Sequence, residues 1–182
     1  WDYHLAVLAT FSSENSSSVP PQVYTVQAGF VGRLLFGTSQ VLFCLEAGSR
    51  QLFPVPLKNS QALSIQNLTA TQQAAEIVFV ATDRALFKYS AKSASFMPIP
   101  LPYDARIHAL HSVNDTLWVG TGKGLLEMQT HHDTTELRDA SGFPKKTRVS
   151  AITATPEGTL LVGTANRGLY IQSSGQQFRH IS

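Results

Sequence analysis

Apolar and polar positions along this chain alternate in short runs, and the runs come back. Gly158-Thr-Leu-Leu-Val-Gly-Thr164 is followed by a polar turn and then by Gly168-Leu-Tyr-Ile171, a pattern of two strands around a tight connection. Weaker copies stand at Leu117–Leu126, Ile77–Phe87 and Gly32–Phe43. Aligned on Thr38, Thr82, Thr121 and Thr164, the copies are 44, 39 and 43 residues apart, the period of a four-stranded propeller blade. The predicted fold is therefore all-β: four four-stranded antiparallel repeats of a β-propeller.

Around each threonine-centred hairpin the flanking runs supply an inner and an outer strand, giving repeats over about 22–57, 64–101, 106–138 and 148–181. Residues 1–21 read as an N-terminal strand, Trp1–Ser13, and a linker, and that strand suits the outer edge of a neighbouring blade. Turns are marked at Gly32, Gly48, Asn114-Asp115 and Pro156-Glu157-Gly158, with a looser one expected over Gln72–Glu76. Two outer runs match: Gln51-Leu-Phe-Pro-Val-Pro-Leu57 and Ser95-Phe-Met-Pro-Ile-Pro-Leu101. Proline removes a ladder donor, so both belong on a sheet edge. The Gly-Thr step at Gly37-Thr38, Gly120-Thr121 and Gly163-Thr164, with Ala81-Thr82 in the second repeat, predicts close backbone approach and a threonine hydroxyl bonded to the following turn.

Composition narrows the partners. With 43% hydrophobic and 14% charged residues the chain suits a packed domain, not a disordered one. A net charge of +2 and no basic run longer than Lys145-Lys146 give no stripe for a phosphate backbone, so nucleic acid is not expected. The longest apolar runs, Leu5–Thr10 and Val41–Leu45, are strand-sized, so no membrane insertion of this segment is expected. The single cysteine, Cys44, forms no internal disulfide and reads as a small apolar strand residue. Triplets of the Asn-x-Ser/Thr type at Asn15, Asn67 and Asn114 are what a Ser/Thr-rich chain gives by chance.

At the level of motif, Val149-Ser-Ala-Ile152, Gly158, Leu160-Leu-Val-Gly-Thr164 and Gly168-Leu-Tyr170, with Leu117-Trp-Val-Gly-Thr121 and Gly124-Leu125, resemble the two-component regulator propeller repeats. Those repeats occur in extracytoplasmic sensor regions of bacterial hybrid histidine kinases and diguanylate cyclases. The match runs from about Gln22 to the end and is degraded in two repeats, where Gln40-Val41 and Ala81 and Ala85 replace expected glycines. The resemblance implies a non-catalytic, ligand-binding sensor segment on the periplasmic side of a transmembrane receptor. It also implies a larger propeller of about seven blades, with a self-closed four-bladed ring as the alternative.

In a meander the turns between second and third strands and the connections between repeats share one end. Arg84, Lys123 and Arg167, with Gln40, fall at aligned turn positions there, and the connection Asp139–Thr147 adds Lys145, Lys146 and, just after it, Arg148. These bases would suit an anionic small molecule or saccharide; wet turns also carry charge for no special reason. No cofactor or metal is expected: His131-His132-Asp133 are adjacent on an extended segment and diverge, as do His108 and His111 at odd spacing. Trp118 reads as packing between blades. A propeller lyase or hydrolase, with His108, His111 and a carboxylate converging, and an interaction scaffold with a flat apolar loop end are the competing readings. Neighbouring blades or domains of the same receptor and a second copy of the chain complete the expected partners.

Overall fold

The second strand of each repeat carries consecutive apolar residues, Leu34–Phe36, Ile77–Ala81, Leu117–Val119 and Leu160–Val162, a run that suits a sheet covered on both faces. The computed structural model describes residues 22–28, 33–39, 42–46, 52–55, 65–70, 77–90, 95–113, 115–130, 136–173 and 175–181. They form four antiparallel sheets, each a meander of four consecutive strands. The first sheet is β1 (Val23–Ala28), β2 (Arg33–Thr38), β3 (Leu42–Glu46) and β4 (Leu52–Val55). The second is β5 (Ile65–Ala70), β6 (Ile77–Thr82), β7 (Leu86–Ser90) and β8 (Ser95–Ile99). In the third, β9 (Ile107–Val113), β10 (Thr116–Thr121) and β11 (Leu125–Gln129) are followed by a two-residue edge, β12 (Arg138–Asp139). The fourth is β13 (Val149–Ala154), β14 (Leu160–Thr164), β15 (Leu169–Gln172) and β16 (Arg179–Ile181). The strand predicted over Trp1–Ser13, the turns at Gly32, Gly48 and 72–76, Gln40 and His131-His132-Asp133 lie outside the described residues.

The inner strands carry the array, β1 lying against β5, β5 against β9 and β9 against β13. Between sheets lie three apolar cores. Leu35, Leu42, Ile65, Leu68, Val78 and Val80 fill the first; Phe79, Ala81, Leu86, Ile107, Leu117 and Val119 the second; Trp118, Phe143, Val149, Leu160 and Val162 the third. Strand β6 divides its residues by parity, Val78 and Val80 to one side and Phe79 and Ala81 to the other. Strand β10 does the same, with Leu117 and Val119 opposed to Trp118. Each buried aliphatic side chain is worth about 1.5–3 kcal/mol. The outer strands fit the proline argument, since Pro54 lies opposite Phe43 and Pro98 opposite Phe87, with no further strand beyond β4 or β8 among the described residues.

The inner strands begin at Val23, Ile65, Ile107 and Val149, a constant spacing of 42. Each then carries one extra residue relative to its partner strand: Tyr24, Gln66, His108 and Ser150 are the bulged positions. The glycine closing the second strand makes room for the next sheet. A Cβ on Gly37 would lie 2.6 Å from Ile65 Cγ2, and one on Gly120 2.5 Å from Val149 Cγ1. Gly163 differs, its Cβ position meeting only Ser150 and Ala151 of its own sheet at 3.7–3.8 Å. Gly120→Ala is therefore expected to lose about 1–3 kcal/mol through overpacking, while Gly163→Ala stays within about 0.5 kcal/mol of the parent. Urea unfolding of the two variants measures this, and equal losses would contradict the packing described.

Candidate binding site at the loop end

The second threonine function expected from the repeats is realised in three sheets. Thr121 Oγ1 donates to Gly124 O at 2.9 Å and accepts from the N–H groups of Lys123 and Gly124, each at 3.1 Å. Thr82 accepts from Ala85 N at 2.9 Å, and Thr164 donates to Gly168 O at 2.8 Å. These bonds fix the turns that present Arg84, Lys123 and Arg167. A second tie fastens the turns to the inner strands: Ser39, Gly122 and Ala165 donate their N–H groups to the carbonyls of Gln22, Arg106 and Arg148, each at 3.0 Å.

Beside the Thr121 turn the connection from the third sheet to the fourth folds inward. Phe143 is buried in the core between those sheets, edge-on to Tyr170 at 5.0 Å and Phe178 at 5.2 Å, and Trp118 meets Phe178 at 6.2 Å. Thus anchored, the loop returns past Lys145 and Lys146, and Lys146 N donates to Lys123 O at 2.9 Å. Lys146 holds φ 56°, a left-handed conformation that costs a non-glycine residue about 1–3 kcal/mol.

A cavity of about 190 Å³ results, lined by Tyr103, Lys123, Gly124, Leu125, Asp139, Ala140, Phe143, Pro144, Lys145 and Lys146. Tyr103 donates its hydroxyl to Asp139 Oδ1 at 3.3 Å, and Lys145 Nζ lies 3.5 Å from Asp139 Oδ2. Burial, opposed in part by a hydrogen bond with Thr121, and the nearby Asp139 carboxylate together push the Tyr103 phenol up, so it stays a donor at neutral pH. Lys123 Nζ sits 5.4 Å from the Tyr103 ring centroid. Three lysines thus face one carboxylate around an aromatic wall.

The remaining sequence-selected bases are elsewhere. Arg84 pairs with Asp104 at 3.1 Å and with Asp83 at 3.9 Å, in a groove on the other side of Tyr103. Arg148, exposed, immediately precedes β13, and Arg167 is exposed on the fourth turn; neither lines the lysine cavity. Tyr103, Asp139 and Phe143 were missed by sequence reasoning, as were Asp83 and Asp104. The bulged residues were missed too, since the extra residue shows only in the pairing register with the second strand.

His108 is a bulged residue near Gly122, and burial together with the Arg148 and Arg106 charges depresses its pKa. His111, opposite Trp118, is depressed by burial. No three His, Cys, Asp or Glu side chains gather as metal ligands among the described residues, and no helix there is long and apolar enough to cross a membrane.

Neither a protein-family model nor a curated protein matches the chain. Solved structures do. Two structures of the extracellular domain of BT4673 from B. thetaiotaomicron, one described as a one-component and one as a hybrid two-component system, match over 93% of this chain at 20% identity, with TM-scores of 0.72 and 0.69. The chain has a β-propeller fold. It spans 23% of the length of those BT4673 chains. A streptogramin B lyase structure matches 89% of this chain and 55% of its own at 14% identity, TM-score 0.70. The computationally designed Ika4 protein matches 92% of this chain and 98% of its own at 15% identity, TM-score 0.63. The propeller blades predicted from the repeats, and the likeness to a sensor-region propeller, are both met by these findings.

Two outcomes are expected from this geometry. Thr121→Val removes the acceptor of the buried Gly124 N–H and of the part-buried Lys123 N–H and is expected to cost about 1–3 kcal/mol, measured by urea unfolding; an unchanged midpoint would mean the hydroxyl is idle. The unfolded chain binds more protons than the native one as pH falls through the ordinary histidine range near about 6.5. Stability is then full above that pH and declines below it, and His111→Gln flattens the decline in melting temperature between about pH 7.5 and pH 5.5. Parallel curves for parent and variant would rule out His111 as the source.

Proposed function

We propose that this chain is a non-catalytic, ligand-sensing propeller segment of a bacterial transmembrane signalling receptor, a two-component histidine kinase or a diguanylate cyclase. The blades stand on the periplasmic side, within a larger propeller of about seven. Likeness to the BT4673 extracellular domain supports the receptor assignment. One observation carries the ligand: the loop-end cavity sets Lys123, Lys145 and Lys146 around the single carboxylate of Asp139, against the ring of Tyr103. Such a wall suits an anionic saccharide or related carboxylate, with the sugar face on the tyrosine and the acid at the ammonium groups. A concave, cationic end fits this better than it fits a flat interaction scaffold.

Thermal shift with uronic-acid oligosaccharides, set beside neutral oligosaccharides of the same length, tests the assignment. The acidic series is expected to raise the melting temperature by on the order of 4 °C at ten times its Kd, and Lys123→Glu with Lys146→Glu to abolish the rise. Equal shifts from acidic and neutral sugars, or from parent and variant, would overturn it.

A further inference from the structure

Tyr103 stands in the wall of two cavities. On one side is the lysine cavity of about 190 Å³; on the other is a groove of about 360 Å³ walled by Phe87, Pro98, Pro100 and Leu101, with Arg84 and Asp104 also lining it. Ligand pockets generally run from about 300 Å³ upward, so the lysine cavity by itself suits a single sugar unit, and the two together suit a longer ligand. Both are built from residues 84–146, inside the array and not at either end of it. The groove follows from local sequence. Pro98 and Pro100 have no N–H to offer a further strand, and their rings stay exposed. Phe87, half-buried, lies opposite Pro98 in the pairing of β7 with β8.

Charge divides the two cavities. In the first, three ammonium groups face one carboxylate. In the second, the one cation among the described lining residues is already held: Arg84 Nη1 lies 3.1 and 3.4 Å from the two carboxylate oxygens of Asp104, and Arg84 Nε lies 3.9 Å from Asp83. A carboxylate entering the groove would meet two others beside that guanidinium. An uncharged sugar ring can instead lay its C–H face on the proline and phenylalanine wall and donate a hydroxyl to Asp104.

We propose that the loop end takes a mixed-charge oligosaccharide, with an acidic unit in the lysine cavity joined across Tyr103 to a neutral unit in the groove of Phe87 and Pro100. This deepens the anionic-saccharide reading above and rests on it. Selectivity lies in the second unit: an acid followed by a neutral sugar is favoured, and a run of acids is disfavoured by Asp104 and Asp83. An all-acid chain still engages the lysine cavity through one of its units.

Calorimetric titration of the 182-residue chain with matched triples built on glucuronic, galacturonic or mannuronic acid tests this. Each triple is the single uronic acid, its dimer, and the disaccharide in which the same acid is linked to a neutral hexose. In the triple that fits, the mixed disaccharide is expected to bind at least about tenfold more tightly than either the single acid or the all-acid dimer. Asp104→Lys, a change at a side chain 80% exposed, releases Arg84 and adds a cation to the groove. It is expected to bring the affinity ratio of mixed to all-acid dimer down to about one. Equal affinity of the two dimers in the parent chain, a mixed disaccharide no tighter than the single acid, or a preference unmoved by Asp104→Lys would overturn the proposal and leave the lysine cavity as an anion site. Absence of binding in every triple would remove the anionic reading itself, and this inference with it.

Discussion

The structure depends on second strands that are apolar on both faces. Strands β6 and β10 send alternate residues into two different cores, so neither sheet is complete without a neighbour on each side. A four-stranded meander has too little buried surface to offset its own ordering entropy, and stacking supplies the missing burial. Glycine at the end of the second strand then sets how closely the next inner strand approaches. Where alanine replaces it, at Ala81, Ile107 still packs beside it within one buried cluster.

Chemistry at the loop end follows from that packing. The threonine beside each glycine holds the turn by bonds to main-chain groups, and the same turn is tied to the residue preceding the inner strand. Phe143, drawn into the third core, carries the following lysines to Lys123. A buried aromatic thus positions an exposed charge cluster, and the distances among Tyr103, Asp139 and Lys145 are consequences of core packing as much as of attraction. Surface ion pairs of this kind contribute little stability by themselves.

Much of the sheet architecture was legible because strand period, turn residues and edge prolines are local signals. Gly-Thr steps, the turn at Asp115, the Pro156-Glu157-Gly158 turn and Trp118 as core could all be read without a neighbour in view. The candidate site was half legible. Lys123, Lys145 and Lys146 were selected from turn position, and the structure gathers those three; Arg84, chosen by the same rule, is instead paired with Asp104 from another connection. Tyr103 and Asp139 lie 36 residues apart, on either side of the third repeat, and nothing in either neighbourhood announces their contact.

By itself the sequence determined the repeat, the strand order within each sheet and the need for covering on both faces, since alternation and turn chemistry act over a few residues. Only the tertiary structure decided which flanks find partners, which bases share a cavity and which are neutralised. Those outcomes depend on where separate sheets come to rest, and turn lengths that vary between repeats blur that register until the inner strands are aligned in space at their common spacing of 42.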